Sequence, residues 1–342
     1  QDALLLVKRE GKRPLAVATA LYRAGVDWYG IGQLAVAGTL WQQALAIREK
    51  LAPNSLQVAG TLTNLGVVTR IRGDLARAEQ LFQQALAIYE KLAPNSLEVA
   101  TTLNNLGNVA RSRGDLARAE QYYQQALAIY EKLAPNSLEV ATATLNLGNV
   151  ALDRGDLVRA EQYYQQALAI QEQLAPNSLQ VATTLHNLGV VARNRGDLAR
   201  AEQYYQQALA IFERLAPNSL EVAGTLTNLG VVALDRGDLV RAEQYYQQAL
   251  AIQEQLAPNS LQVATTLHNL GVVARNRGDL ARAEQYYQQA LAIFERLAPN
   301  SLQVATTLDT LGNVAANRGD LVRAEQYYQQ ALAIKEQLAP NS

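Results

Sequence analysis

The hydrophobic and polar positions of this chain recur with a period of 41 residues. One period, from Leu92 to Lys132, contains two amphipathic stretches with the spacing of an α-helix. The apolar stripe of the first stretch consists of Val99, Leu103, Leu106 and Ala110. The stripe of the second consists of Leu116, Ala119, Tyr123, Ala126, Leu127 and Tyr130. Neither helix can bury its stripe alone, so the pattern predicts helix–turn–helix repeats that pack on one another.

Turn-forming residues separate the two stretches. Pro94 ends the preceding helix, and Asn95 is the predicted N-cap of the first helix, with Glu98 completing a capping box. Gly114 ends this helix in the left-handed conformation, and Asp115 caps the second helix. In the later repeats the first helix is expected to start near Ser55, Ser96, Ser137, Ser178, Ser219, Ser260 and Ser301.

A glycine inside the first helix predicts a close helix crossing. Gly107 costs roughly 1 kcal/mol relative to alanine at such a position. We expect Ala119 and Ala126 to supply the opposing small surface and Tyr123 to fill the space between repeats. The same glycine recurs as Gly25, Gly66, Gly148, Gly189, Gly230, Gly271 and Gly312.

These residues resemble the signature of the tetratricopeptide repeat (TPR). The matching positions are Leu103, Leu106, Gly107, Gly114, Ala119, Tyr123 and Ala126. Leu103 and Ala110 stand where the family usually has large aromatic residues. The period exceeds the usual ~34 residues, as in kinesin light chains and bacterial TPR-rich signalling proteins. The resemblance implies an all-α fold, a right-handed α-α superhelical solenoid of helix–turn–helix repeats with a concave, peptide-binding groove.

The repeats divide the whole chain. Residues 1–13 are interpreted as the remnant helix of an upstream repeat or an N-terminal cap, and residues 14–52 as a divergent first repeat. Trp28 and Trp41 of that repeat are expected to pack against the upstream helix. Seven regular repeats are predicted within 53–342, at 53–93, 94–134, 135–175, 176–216, 217–257, 258–298 and 299–342. The absence of methionine, including at position 1, indicates a processed product or a fragment of a longer protein, and the family resemblance implies that this protein is bacterial.

One part of the array is an internal copy. Residues 150–220 are identical to residues 232–302, an offset of two repeats. Recent duplication and deliberate assembly from repeats both explain this identity.

Composition excludes several classes of function. The formal net charge is −1, and basic and acidic residues are interspersed, so neither nucleic acid nor an anionic membrane is an expected partner. No apolar run approaches the ~18 residues of a membrane span. Cysteine is absent, which excludes disulfides and thiolate metal sites. We expect a cytoplasmic protein.

Four positions vary among the repeats while the packing positions stay constant. Three of them, represented by Asn104, Asn108 and Arg111, share one face of the first helix, and Ser112 represents the fourth. In TPR proteins this face lines the concave groove. The resulting partner-binding candidates are Arg70, Asn104, Asn108, Arg111, Asn149, His186, Arg193, His268, Arg275, Asp309 and Asn313. The alternative is drift of unconstrained solvent-exposed positions.

The candidate face has a definite chemistry. Arg111, Arg193 and Arg275 offer forked donors for carboxylates, and asparagines such as Asn108 can bind peptide amides and carbonyls. Asparagines such as Asn105, next to a buried leucine, either clamp a peptide or bond to neighbouring backbone. A protein or peptide ligand with acidic residues fits this groove.

Catalysis has little support in the sequence. His186 and His268, the only histidines, lie two repeats apart, and no phosphate-loop motif is present. We therefore expect neither an enzyme nor a cofactor or metal site. Three interpretations remain: an interaction scaffold, a self-assembling solenoid that stacks end to end near Leu338, and a sensor region controlling a linked effector. The family resemblance implies a caspase-like (CHAT) protease or a nucleotide-binding switch ATPase as that effector.

Overall fold

The computed structural model describes residues 14–339, and all regular elements of this range are α-helices. The helices are α1 Pro14–Gly30, α2 Leu34–Leu51, α3 Leu56–Ile71, α4 Leu75–Leu92, α5 Leu97–Ser112, α6 Leu116–Leu133, α7 Leu138–Asp153, α8 Leu157–Leu174, α9 Leu179–Asn194, α10 Leu198–Leu215, α11 Leu220–Asp235, α12 Leu239–Leu256, α13 Leu261–Asn276, α14 Leu280–Leu297, α15 Leu302–Asn317 and α16 Leu321–Leu338. The helix interpreted at residues 1–13 lies outside the described residues.

The chain forms two compact blocks, each built of consecutive helix pairs. The N-terminal block ends at Leu174 and contains α1–α8, whereas the C-terminal block begins at Ala175 and contains α9–α16. Inside each block a first helix packs on the second helix of its own repeat, and that second helix packs on the next first helix. The predicted helix–turn–helix repeat is therefore confirmed.

The first helix of each regular repeat starts at a serine. Ser96 Oγ accepts a hydrogen bond from the backbone N–H of Val99 at 3.3 Å, as expected near this residue. The predicted cap at Asn95 is wrong, because Asn95 has a φ of 53°. Asparagine tolerates this left-handed turn, which leaves the next residue extended and able to cap. Glu98 consequently occupies the second helical position, one residue short of a capping box.

The turn between the helices follows the prediction. Gly114 has a φ of 79°. Its N–H donates to Arg111 O at 2.9 Å, and the N–H of Asp115 donates to Ala110 O at 2.9 Å, which is the Schellman pattern. Asp115 Oδ1 then accepts from the N–H of Arg118 at 3.1 Å and caps the second helix. The glycine and the aspartate therefore end one helix and begin the next.

The glycine of the first helix faces an aromatic ring. A Cβ atom on Gly107 would lie 2.5 Å from Cε1 of Tyr123, so only glycine allows this ring to sit on the helix. The predicted close approach is confirmed, but a tyrosine of the same repeat occupies the space in front of the glycine. Ala119 and Ala126 are nevertheless fully buried. Tyr123 also joins the core cluster that includes Leu147 of the next repeat, so it links two repeats as expected.

Tryptophan replaces this tyrosine in the first repeat. Trp41 is 2% exposed, lies directly against Gly25 and donates its indole N–H to Tyr22 O at 3.0 Å. It therefore packs inside its own repeat, whereas Trp28 is 39% exposed. The expected packing of both tryptophans on an upstream helix involves residues outside the described range.

Charged residues on the second helix and at the end of the first helix connect successive repeats. The carboxylate of Glu120 accepts hydrogen bonds from Arg154 and, at 3.0 Å, from Arg159 of the following repeat. Arg159 also lies over the ring of Tyr163, 5.8 Å from its centroid. The same clamp recurs at Glu79, Glu202, Glu243 and Glu284. Charges that look like a solvated mixture in the sequence thus form ordered pairs between repeats.

Candidate partner-binding face

The variable positions lie on neighbouring first helices within each block, and we call this surface the first-helix face. It comprises the residues of the four variable series on α1, α3, α5 and α7 and on α9, α11, α13 and α15. Side-chain hydrogen bonds across these helices join Asn64 to Tyr22 (3.1 Å), Asn146 to Asn104 (3.0 Å) and Asn228 to His186 (3.2 Å). Three of the ambiguous asparagines are thus bound to variable side chains of the preceding repeat.

The second variable position is either asparagine or valine, and this choice decides the state of a buried tyrosine. Asn108 Oδ1 accepts a hydrogen bond from the hydroxyl of Tyr123 at 2.8 Å. The same bond, also at 2.8 Å, joins Tyr164 to Asn149 and Tyr328 to Asn313. Where valine replaces the asparagine, the buried hydroxyl has no hydrogen-bond partner within residues 14–339, as in Tyr205, Tyr246 and Tyr287. Burial raises the pKa of these tyrosines. Repeat two combines Val67 with Phe82, which has no hydroxyl to satisfy.

The arginines of the third series differ in their partners. Arg111 binds Asp153 of the next repeat through Nε at 2.6 Å and through Nη2 at 3.3 Å. Burial lowers the pKa of Arg111, but the hydrogen bond and charge of Asp153 outweigh this effect, and the resulting pKa is raised. Arg193 Nη2 donates a long hydrogen bond to Asn194 Oδ1, at 3.5 Å, and forms no ion pair with a described residue. Among the described residues, Arg275 has no hydrogen bond or ion pair, and Nε of Arg70 is buried without a partner.

Both histidines lie half-buried on the first-helix face of the C-terminal block. His186 Nδ1 lies 3.0 Å from Thr225 Oγ1, and its ring meets Tyr205 edge-on with centroids 5.4 Å apart. His268 Nδ1 lies 3.2 Å from Thr307 Oγ1 in the same way. Burial, followed by the charge of Arg193, lowers the pKa of His186 to about 4. Burial and Arg275 lower the pKa of His268 to about 4. Both imidazoles are therefore neutral at pH 7.

A fifth variable position, on the second helix, was not among the predicted site positions. Its residues are Arg48, Tyr89, Tyr130, Gln171, Phe212, Gln253, Phe294 and Lys335. Most carry a polar tip, and several of these tips bind a first helix. Tyr130 Oη lies 2.9 Å from Thr101 Oγ1, and Gln253 Oε1 accepts from the hydroxyl of Thr266 at 2.8 Å. The variation of this position among otherwise constant repeats was a signal for a functional position. Tyr130, however, also fitted the apolar stripe of the second helix.

The same position accounts for the state of Asp309. Lys335 binds the Asp309 carboxylate in a direct ion pair. The acidic group of this predicted site residue is therefore neutralised inside its own repeat.

Cavities open where the fifth position is phenylalanine. One of about 280 Å³ is lined by Thr183, His186, Phe212, Leu220, Glu221 and Gly224. The other, of about 210 Å³, is lined by Thr265, His268, Phe294, Leu302, Gln303, Thr306 and Thr307. Both belong to the C-terminal block, two repeats apart.

Comparison with protein families identifies the repeat. The profile of the tetratricopeptide repeat matches seven overlapping stretches, at 16–91, 58–132, 98–173, 139–214, 180–255, 221–296 and 262–337. The chain belongs to the tetratricopeptide-repeat family. This result confirms the resemblance and the all-α solenoid class predicted from the sequence. No curated protein matches the chain in sequence.

Solved structures share this TPR architecture. BtubC (BKLC) from P. vanneervenii is 27% identical, with a TM-score of 0.58 over 65% of this chain and 92% of that protein. The quorum sensor NprR from B. thuringiensis is 12% identical, with a TM-score of 0.76 over 96% of this chain and 91% of NprR. The STAND protein PH0952 from Pyrococcus horikoshii, which has a tetratricopeptide repeat sensor, is 15% identical, with a TM-score of 0.71 over 98% of this chain and 52% of PH0952.

Two features are absent from residues 14–339. None of the helices in this range is long and apolar enough to cross a membrane. In the same range, no group of three or more histidine, aspartate or glutamate side chains is placed to hold a metal ion.

Proposed function

We propose that this TPR protein is a cytoplasmic, non-catalytic interaction scaffold whose first-helix face binds an acidic protein or peptide segment. The supporting observation is the set of arginines without a carboxylate partner. Arg70, Arg193 and Arg275 are half-buried, and none forms an ion pair among the described residues. A guanidinium held in this way presents a planar fork to a carboxylate and gains more from binding than a fully solvated cation.

Arg111 shows what Arg70 and Arg275 lack, whereas Arg193 is followed by Asp235 but forms no ion pair with it among the described residues. The carboxylate partner of Arg111, Asp153, belongs to the fourth variable series of the next repeat. The residues at the matching positions after Arg70 and Arg275 are Ser112 and Asn317, which carry no charge. A carboxylate supplied by a bound segment would complete the same bidentate pair.

Selection from a random peptide library on the immobilised protein tests this proposal. We expect enrichment of peptides rich in aspartate and glutamate. Their affinity should fall about tenfold or more in Arg70→Gln/Arg193→Gln/Arg275→Gln, since a charge-assisted pair contributes roughly 1.5–3 kcal/mol. The control is Arg154→Gln, whose arginine is already engaged by Glu120. Selected peptides without acidic residues, or equal binding by both variants, would refute the proposal.

A sensor role is the second candidate. PH0952 combines a tetratricopeptide repeat sensor with a STAND ATPase, and this chain spans 52% of that protein. In such an arrangement the bound segment would control a linked effector, such as a switch ATPase or a caspase-like protease. Sequencing the gene on both sides of these residues separates this candidate from a free scaffold.

End-to-end self-association is the third candidate. Helix α16 exposes Leu321, Val322 and Leu332, which are 69%, 70% and 55% exposed. A second copy of the chain would bury them. Light scattering across a concentration series should then show a mass that rises with concentration, whereas a constant monomer mass excludes this candidate.

A further inference from the structure

The two cavities beside Phe212 and Phe294 share a feature of the sequence. Phe212 and Phe294 occupy the fifth variable position, where the other described repeats carry tyrosine, glutamine, lysine or arginine. Tyr130 extends its hydroxyl to Thr101, 2.9 Å away. Thr183 stands at the matching position and lines the cavity beside Phe212. Phenylalanine has no hydroxyl that could make the contact of Tyr130 with Thr101, and here the phenylalanine and the threonine line an open cavity instead.

A second substitution enlarges one cavity. Gly224 lines the 280 Å³ cavity, and a Cβ built on it would meet nothing within 4 Å. Thr306 takes the same place in the 210 Å³ cavity. The larger volume is explained by the missing threonine side chain.

The walls of the cavities are mostly apolar. The hydroxyls of Thr183 and Thr265 donate to the carbonyls of Leu179 and Leu261, each at 2.9 Å, and are therefore satisfied by their own helices. The ring nitrogens of His186 lie within hydrogen-bond distance of Thr225 and Asn228. The inner walls consequently offer few free groups to a polar ligand, and the exposed Glu221 and Gln303 are the charged or amide side chains among the lining residues.

Volume and position define the occupant. An apolar cavity of about 150 Å³ already holds benzene, so both cavities have room for one large apolar side chain. His186 and Arg193 are seven residues apart on α9, as are His268 and Arg275 on α13, which places each pair two turns apart on one helix face. A segment whose carboxylates reach these arginines would pass the cavities.

We propose that the two cavities are subsites of one kind, each of which takes one large apolar side chain of a bound polypeptide segment. The source of that side chain rests on the proposed function, whereas the pockets themselves do not. The residue at the fifth variable position thus determines specificity: phenylalanine opens a subsite, and a residue with a polar tip closes it.

Binding of a capped amino acid tests the subsites without a partner protein. The probe is N-acetyl-L-phenylalaninamide, measured by saturation-transfer NMR, with N-acetyl-L-asparaginamide as the polar control. The chain supplies the closing variant Phe212→Tyr/Phe294→Tyr, which reproduces the Tyr130–Thr101 contact of repeat three. We expect the aromatic probe to bind the wild type and to bind this variant about tenfold more weakly, because the burial of its apolar surface is lost. The polar control should not bind.

A matched pair of single substitutions sharpens the test. Gly224→Thr should reduce the larger cavity to the size of the smaller one and weaken probe binding there. Tyr130→Phe in repeat three is the gain-of-function variant: it should open a new subsite beside Thr101 and add a binding event. The proposal of two subsites would be overturned if the wild type did not bind the probe. It would also be overturned if the Phe212→Tyr/Phe294→Tyr variant bound the probe as tightly as the wild type. Neither result would decide whether the arginines capture acidic peptides, because that is measured separately.

Discussion

The two blocks share one packing frame but treat their polar groups differently. In the N-terminal block the hydroxyls of Tyr123 and Tyr164 are accepted by asparagines, and Arg111 is paired with Asp153. In the C-terminal block the hydroxyls of Tyr205, Tyr246 and Tyr287 are buried without acceptors among the described residues, and Tyr328 of the last repeat, bonded to Asn313, is the exception. The same block contains the two half-buried histidines and the two cavities lined by them.

This difference shows which positions serve the fold and which do not. The glycine–tyrosine contact is the same in both blocks, with Cε1 of the ring 2.5 Å from a Cβ on Gly107 and 2.6 Å from one on Gly189. An unsatisfied buried hydroxyl costs roughly 1–3 kcal/mol, so the valines of the C-terminal block forgo stability that asparagine provides elsewhere. The first-helix face of that block is therefore not optimised for stability, as is typical of functional surfaces.

The largest expected effect is on the frame that both blocks share. Gly189→Leu should destabilise the C-terminal block by about 1–3 kcal/mol or more, because a side chain there collides with the ring of Tyr205. Gly107→Leu should do the same in the N-terminal block. Gly224→Ala is the control: its Cβ would meet nothing within 4 Å, and alanine favours a helix by roughly 1 kcal/mol. Chemical denaturation followed by circular dichroism measures all three, and unchanged unfolding of either leucine variant would contradict the shared frame.

The second largest effect that we expect is a loss of stability of the C-terminal block in acid. The pKa of His186 and of His268 is lowered to about 4 in the folded chain, whereas an unfolded histidine titrates near 6.5. The unfolded state therefore binds more protons between these values, and stability falls as the pH is lowered from about 6.5 to about 4, by at most about 3 kcal/mol per histidine. Over this pH range the wild type should lose more stability than the variant His186→Gln/His268→Gln, as measured by thermal unfolding. Parallel curves of stability against pH would show that the two histidines do not contribute to the loss of stability in acid.

Removing hydroxyls should have opposite effects in the two blocks. Tyr205→Phe deletes an unsatisfied buried group and should raise stability by about 1 kcal/mol, whereas Tyr123→Phe deletes a bond to Asn108 and should lower it by a similar amount. Phe82 in repeat two already shows that phenylalanine fits this position. Denaturation midpoints of the two variants provide the measurement. A loss of stability in both would mean that the hydroxyl of Tyr205 has a partner, such as an ordered water.

The parts of the structure that follow from local chemistry are predictable from the sequence. The turn at Gly114 and the cap at Asp115 depend on residues within one turn of the chain, and both are confirmed. The cap predicted at Asn95 is wrong because asparagine suits both a cap and a left-handed turn, and only the backbone distinguishes them. The pairings of the first-helix face, such as Asn146 with Asn104, join residues one repeat apart and depend on how the helices stack. Tyr130 fits an apolar stripe in the sequence, and no sequence pattern predicts the contact of its hydroxyl with the first helix.

The smallest expected effect concerns the acidic residues of the fourth variable series. Asp153 is paired with Arg111, and their side chains are 34% and 38% exposed, so the pair should contribute only about 0.5 kcal/mol. Asp235 is the matching residue of the C-terminal block and forms no ion pair among the described residues. Asp153→Asn should therefore lower stability slightly, and Asp235→Asn should leave it unchanged. The same two variants sharpen the functional contrast, since Asp153→Asn frees Arg111 and should add affinity for an acidic peptide, whereas Asp235→Asn should not. Equal gains from both would show that Asp235 already occupies Arg193 in solution, and the N-terminal and C-terminal faces would then be equivalent in charge.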